Sequence, residues 1–315
     1  MSRMRFRLFG NFQVRIAGEL SPDFITGKTV ELFCYVLLHR QAPIVREHLA
    51  ALLWDDLQSR RHLRQTLCTL RKKLHAEPEF PELLVIENDF VRLNPQADFW
   101  LDIAAFEEAF KSVEGISGKA LTAQQAQMLQ LATDLYRGDL LKGWYQDWCL
   151  YERERLQDMY VAMLLKLMSW CETQKQYEQG MHYGDMVLRY DHAHERTHRA
   201  LMLLRYLDGD RTGALRQYER CVAALASDLR VAPSNRTNAL CEKIRADRVG
   251  SPPPTQLQSP ATVTIAHLHE LQNEFSQLLS GMTQIEQELR RDINLLEAQQ
   301  KTVNPPEQGE NKQKN

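Results

Sequence analysis

The chain has 315 residues, about twice the usual length of one domain, which predicts two or three folded units. Its 43% hydrophobic and 25% charged residues, with 14 Gly and 12 Pro, are typical of globular proteins and exclude fibrous and disordered chains. No stretch has the apolar length of a signal peptide or a membrane helix, and the six cysteines include no C-x-x-C pair. We therefore expect a cytoplasmic protein with reduced cysteines and no membrane association.

Positive charge is concentrated near the N-terminus. The formal charge is +3 for residues 1–95, −2 for residues 96–249 and −3 for residues 250–315. Between residues 59 and 75 there are six Lys and Arg and no acid. A basic stripe of this kind is typical of a nucleic-acid-binding surface, and it says more about partners than the whole-chain charge of −2 does.

Residues 1–95 have the pattern of a winged helix-turn-helix domain. Short alternating apolar runs separated by Gly turns indicate strands in the first twenty residues. Apolar residues at helical spacing predict three helices, at about residues 29–39, 45–54 and 59–75. The apolar runs 83–86 and 90–93 then flank three polar residues, which predicts a β-hairpin.

The third predicted helix carries most of the candidate DNA-binding residues. Four leucines, at positions 63, 67, 70 and 74, form one apolar stripe and leave the opposite side of the helix polar and basic. Such a helix can rest on a core while its outer side enters the major groove, where basic side chains reach phosphates and polar ones reach base edges. A solvated helix surface is the alternative, but the preceding helix and the following hairpin favour DNA binding. The candidate DNA-binding residues are Arg60, Arg61, Arg64, Gln65, Thr69, Arg71, Lys72, Lys73 and, on the hairpin, Arg92.

From about residue 99 to residue 246 the pattern is almost wholly helical and repeats itself. A shift of 34 residues, the tetratricopeptide (TPR) period, aligns Leu167 with Leu201 among other apolar pairs. It also aligns Gly180 with Ala214, two small residues at which we expect paired helices to approach closely. Helix pairs of this kind must stack to bury their apolar sides.

A heptad pattern follows the repeats. Residues 248–262 are rich in Pro, Ser and Gln and predict a linker, and the polar residues 302–315 predict a disordered tail. Between them, residues 263–301 carry apolar side chains alternately three and four positions apart, which predicts a coiled-coil helix that forms a homodimer. A lone amphipathic helix on the repeats and a partner-binding helix are the alternatives. The predicted oligomerisation residues are Leu268, Leu271, Phe275, Leu278, Met282, Ile285, Leu289 and Leu296.

Residues 194–198 match H-E-x-x-H, the signature of zinc peptidases. In the 34-residue alignment, however, the two histidines correspond to Tyr160 and Leu164, which occupy packing positions in the first helix of a repeat. No G-x-x-H continuation follows, and the chain contains no G-x-x-x-x-G-K-[ST] phosphate-binding loop. We therefore predict no enzyme activity and no catalytic, cofactor-binding or metal-binding residues.

Two parts of the chain resemble known families. Residues 1–95, above all residues 63–74, resemble the OmpR-type winged helix, although Asn88-Asp89-Phe90 stands where that family usually has Gly-Tyr near the tip of its wing. Residues 98–246 resemble the bacterial transcriptional activator domain. The matching segments are 102–107, 136–141, 148, 152–156, 195–202, 214–220 and 232–234. The combination resembles activators of the Streptomyces antibiotic regulatory protein (SARP) type, which implies binding to repeats in promoter DNA and recruitment of RNA polymerase.

The predicted fold is therefore mainly α with a small β component. A winged helix-turn-helix domain at 1–95 precedes a TPR-like helical repeat domain at 98–247, the linker, a C-terminal coiled-coil helix and the tail. The predicted function is a sequence-specific transcriptional activator that binds double-stranded DNA and RNA polymerase. The competing hypothesis is a repeat-based adaptor whose N-terminal domain binds protein, and which binds DNA weakly and independently of salt.

Overall fold

Strands and helices follow one another as a winged helix and then as a row of helices. The computed structural model describes residues 4–21, 25–75 and 82–249. The strands are β1 (Met4–Arg7), β2 (Gln13–Ile16), β3 (Glu19–Leu20), β4 (Ile44–Val45), β5 (Leu84–Ile86), β6 (Phe90–Leu93) and β7 (Phe99–Leu101). The helices are α1 (Lys28–Leu38), α2 (Arg46–Leu53), α3 (Ser59–Leu74), α4 (Asp102–Ser112), α5 (Ala123–Thr133), α6 (Asp147–Thr173), α7 (Tyr177–Leu188), α8 (Glu195–Leu207), α9 (Arg211–Ala224) and α10 (Asn235–Arg245). None of the described helices is long and apolar enough to cross a membrane.

Two small sheets pack with the three N-terminal helices. The first has the strand order β3-β2-β1-β7, in which β1 is antiparallel to β2 and parallel to β7. The second, β4-β6-β5, contains the predicted hairpin and forms the wing. Because side chains alternate along a strand, Met4 and Phe6 of β1 point into the core, whereas Arg5 and Arg7 lie on the outer side of the first sheet.

Helices α6 to α9 form two successive pairs that correspond to the 34-residue repeat. Gly184 lies where α7 meets α8, and a Cβ atom there would be 2.6 Å from Cδ2 of Leu201. Gly180 is nearly as confined, with Leu204 and Cys171 at 3.0 and 3.2 Å from the same hypothetical atom. The predicted close approach is confirmed at Gly180, and Ala214 at the equivalent position of the next pair is buried.

The first sheet and the repeat helices share one hydrophobic core. Phe9, just beyond β1, packs against Phe106 of α4 and against Tyr136, with ring centroids 5.0 and 4.8 Å apart. Tyr136 in turn stacks on Tyr160 of α6 at 4.2 Å. Residues 1–249 accordingly form one compact unit. The domain boundaries given above stay predictions, and the linker, coiled-coil helix, tail and oligomerisation residues lie outside the described residues.

Buried Asp102 connects the end of β1 to the start of α4. Its carboxylate accepts hydrogen bonds from the backbone N–H groups of Leu8, Phe9 and Ile103 at 2.8–3.0 Å. Burial raises the pKa of the Asp102 carboxyl to about 6, and the three N–H donors offset part of that rise because they favour the charged form.

The segment between α5 and α6 is held in place from both sides. Its backbone pairs with the chain beyond β1, where Gly10 N–H donates to the Asp139 carbonyl at 3.0 Å and Leu141 N–H donates to the Leu8 carbonyl at 2.9 Å. From α6, the Arg153 guanidinium donates to three carbonyls of the segment, those of Leu140, Leu141 and Trp144, at 2.9–3.1 Å.

Candidate nucleic-acid interface

The apolar side of α3 anchors the helix to the rest of the winged helix. Leu63, Leu67, Leu70 and Leu74 are all buried, as the wheel of the sequence predicts. Each such leucine contributes about 2 kcal/mol through the apolar surface that it removes from water. The stripe therefore fixes which side of α3 is left to solvent.

The outer face of α3 is open to solvent along its whole length. We define this outer face by its exposed residues Arg61, Arg64, Gln65, Cys68, Thr69 and Lys72. Arg60, Arg71 and Lys73 are also exposed at its edges, and Arg92 is half-buried on β6 of the wing. No acidic residue occurs within α3. All nine candidate DNA-binding residues thus lie on α3 or on the adjoining wing, with eight of them exposed.

Ion pairs divide the candidate cations into two groups. Arg60 pairs with Glu47, Arg71 with Glu82 at 2.9 Å, and Arg92 with Glu87 at 3.4 Å. Such exposed pairs contribute only about 0–1 kcal/mol, so phosphates can displace the acids at little cost. The side chains of the other four cations have no hydrogen-bond or ion-pair partner within the described ranges. They are Arg61, Arg64, Lys72 and Lys73.

The wing is held against α2 by Arg46, a residue that the sequence analysis did not single out. Its backbone N–H donates to the Asp89 carbonyl at 2.9 Å, and its guanidinium donates to the carbonyls of Glu87 and Asn88 at 3.2 and 3.3 Å. These three contacts fix the tip of the hairpin. Since the partners are more than forty residues apart in the chain, no local sequence pattern could have indicated them.

An open groove of about 690 Å³ lies between α2, α3 and the tip of the wing. Arg60, Leu63 and Arg64 line its α3 side, and Asn88 and Asp89 line its wing side. The groove therefore places the two elements of the candidate interface side by side.

The H-E-x-x-H residues make hydrogen bonds within the protein. His194 caps α8, where its Nδ1 accepts from Thr197 N–H at 3.3 Å, and Glu195 accepts from Ser234 and Thr237. His198 bonds through Nε2 to the His192 carbonyl and through Nδ1 to the Gln217 amide, both at 2.8 Å, and burial lowers the pKa of its imidazole. No group of three His, Cys, Asp or Glu in the described part of the chain could hold a metal ion.

Two comparisons with known proteins found a match, one for the repeat region and one for most of the chain. Residues 101–245 match the family profile of the bacterial transcriptional activator domain. The chain is also similar to the solved structure "Mycobacterium tuberculosis EmbR in complex with low affinity phosphopeptide", with a TM-score of 0.61 and 19% sequence identity over 87% of this chain and 72% of that chain. At this identity the likeness establishes the fold, a winged helix followed by helical repeats. No curated protein matches the sequence. The predicted resemblance to the bacterial transcriptional activator domain is confirmed over residues 101–245, whereas the OmpR-type assignment of residues 1–95 stays a prediction.

Proposed function

We propose that this chain, whose residues 101–245 match the bacterial transcriptional activator domain, is a sequence-specific DNA-binding transcriptional activator. The observation that carries the proposal is the outer face of α3, which is exposed, acid-free and backed by buried leucines. The likeness of residues 101–245 to activator domains supports the choice of transcription as the process. The activator would act in the cytoplasm, where bacterial promoter DNA lies.

In this proposal α3 lies in the major groove. Arg64, Gln65 and Thr69 would reach base edges, since arginine can donate twice to guanine and glutamine can pair with adenine. Arg61, Lys72 and Lys73 would contact phosphates. At the edges, Arg60, Arg71 and Arg92 would exchange their exposed acidic partners for phosphate oxygens.

Single substitutions on α3 should separate the two kinds of contact. We expect Arg64→Ala to weaken binding by about 1–3 kcal/mol if the side chain contacts a base. We expect Lys72→Ala to lower the salt slope of binding by about one if its ammonium contacts a phosphate. Fluorescence anisotropy of full-length protein with a DNA fragment selected from genomic DNA, at several salt concentrations, measures both quantities.

Arg216→Ala is the matched control, because Arg216 is exposed on α9 and has no ion-pair partner within the described ranges. It should leave DNA affinity unchanged. Equal retention of DNA by wild type and by both α3 variants would contradict the assignment of α3.

We further propose that the activator recruits RNA polymerase and that its predicted coiled-coil helix, residues 263–301, joins two copies. Two linked DNA-binding units suit repeated half-sites, because the link raises the effective concentration of the second unit. The resemblance to SARP-type activators supports the polymerase contact.

The competing adaptor function is favoured by a second groove, on the repeat helices. It has a volume of about 320 Å³ and an apolar floor that includes Leu165, Met168 and Leu203, with Arg196 and Arg199 among its lining residues. A protein that acted through this groove alone would bind DNA weakly and without the salt dependence of phosphate contacts. The salt titration above therefore distinguishes the two functions.

A further inference from the structure

A second basic surface lies on the outer side of the first sheet. Arg5 of β1 and Arg15 of β2 are direct cross-strand neighbours, and Arg7 follows two residues along β1 on the same side. Arg137 directly precedes Gly138 and Asp139, whose backbone lies against Gly10 just beyond β1. Burial lowers the pKa of the Arg7 guanidinium, and the nearby charge of Arg137 lowers it further. We call these four residues the arginine face.

The charges of the arginine face are not neutralised by neighbouring acids. Within the described residues, none of its four guanidinium groups has an ion-pair or hydrogen-bond partner. The acid that attracts Arg7 is Asp102, which is buried and already accepts three backbone N–H bonds. Like charges directly opposite each other in a sheet are destabilising, so the isolated protein carries a local repulsion that an anionic partner would relieve.

The arginine face and the outer face of α3 belong to different elements, the first sheet and α3, and both of these elements pack against α1. Phe33 of α1 packs against Phe6 and Phe12 of the first sheet, with ring centroids 5.1 and 6.4 Å apart. Helix α3 also packs against α1, and its leucine stripe belongs to the same hydrophobic core. The two basic surfaces are therefore carried by different elements and can be tested separately.

The geometry points to an acidic polypeptide segment as the partner of the arginine face. Arg5 and Arg7, two residues apart on a strand, are separated by about 6.6 Å, which is also the spacing of alternate residues in an extended acidic segment. Guanidinium groups bind carboxylates with two parallel hydrogen bonds, which favours such a partner. Trp100 of β7 lies beside Arg5 of β1, and Cζ of Arg5 is 5.5 Å from the centroid of the Trp100 ring. Trp100 thereby adds an apolar margin to the charged surface.

The test uses full-length protein and a labelled peptide of alternating Glu and Ala. We expect Arg15→Glu combined with Arg137→Glu to weaken binding of this peptide by about tenfold or more. Both residues are exposed, and both substitutions remove like-charge repulsion, so the variant should fold at least as well as wild type. Arg216→Glu combined with Arg236→Glu on the repeat helices changes the net charge equally and should leave peptide binding intact.

Two further arms make the result decisive. The same peptide with Gln in place of Glu should not bind, and binding of a DNA duplex should be unchanged in the Arg15 and Arg137 variant. The milder double variant Arg15→Gln and Arg137→Gln should give an intermediate loss of peptide binding. It is used in place of the double Glu variant if the double Glu variant does not fold. Unchanged binding of the Glu peptide to a folded variant would overturn the proposal, as would equal loss of peptide and duplex, which would assign the arginine face to nucleic acid.

Discussion

Replacing Asp102 with Ala is expected to lower the free energy of unfolding by about 4 kcal/mol, because a buried N–H left without an acceptor costs about 1–3 kcal/mol and this substitution leaves three. The three donors are the backbone N–H groups of Leu8, Phe9 and Ile103. Urea unfolding of full-length protein, followed by circular dichroism, measures the change as a lower midpoint.

Asp102→Asn is the milder companion variant, since its amide keeps one oxygen acceptor, and we expect an intermediate loss. Burial raises the pKa of Asp102 to about 6, so the folded wild type binds more protons than the unfolded chain between about pH 4 and pH 6. The free energy of unfolding of wild type therefore falls as the pH rises through that window, and its difference from that of Asp102→Asn should narrow.

Glu108→Ala, an exposed change on the same helix, should have almost no effect on the free energy of unfolding. A midpoint for Asp102→Ala equal to that of wild type would refute the role of the carboxylate.

Substitution of Arg153 by Ala should cost about 3 kcal/mol of unfolding free energy, because the Leu140 and Trp144 carbonyls lose their side-chain donor and the Leu141 carbonyl keeps only the Trp144 N–H. Those carbonyls belong to the segment that also pairs with the chain beyond β1. Loss of Arg153 should therefore loosen the connection between the winged helix and the repeat helices, as well as α6 itself. Hydrogen exchange of the Gly10 and Leu141 amides, together with urea unfolding, measures both effects.

Lysine at position 153 keeps the charge but has no planar fork of donors, so it should recover less than half of the loss. Glu154→Ala, at the next and exposed position of α6, is the neutral control. If Arg153→Lys were as stable as wild type, the charge alone would matter and the three-carbonyl account would be wrong.

The parts of the fold that local periodicity determines could be predicted from the sequence. The sequence predicts the third helix at about residues 59–75, and the helix is observed at Ser59–Leu74 with its four leucines buried. The wing hairpin is observed at β5 and β6, within one residue of the prediction. In both cases the apolar spacing of a single element is enough to show its type and its buried side.

The elements that depend on distant partners could not be predicted. Strands β4 and β7 have two and three residues, too few for a periodic signal, and they form because β6 and β1 supply their hydrogen bonds. The sequence pattern predicts a helical region from about residue 99, which is wrong for residues 99–101 because β7 pairs in parallel with β1. The helix begins only at Asp102, where the carboxylate accepts the Ile103 N–H.

The sequence singles out some residues without indicating which groups they contact. Asp102 and Arg153 lie in segments that resemble the bacterial transcriptional activator domain, but the sequence does not indicate what they bind. The structure shows that Asp102 binds the chain just beyond β1, whereas Arg153 binds the segment between α5 and α6, which itself pairs with that chain. The candidate DNA-binding residues could be placed on one helix side from the sequence, whereas their division into paired and unpaired cations required the positions of Glu47, Glu82 and Glu87.

The central claim is that the outer face of α3 binds duplex DNA of a particular sequence. Selection of genomic DNA fragments by full-length protein, sequenced after washing at low and at high salt, tests this claim most directly. We predict enrichment of fragments that share one repeated sequence, with recovery that falls steeply as salt increases. Fragments without a common sequence, or recovery that does not respond to salt, would contradict the claim.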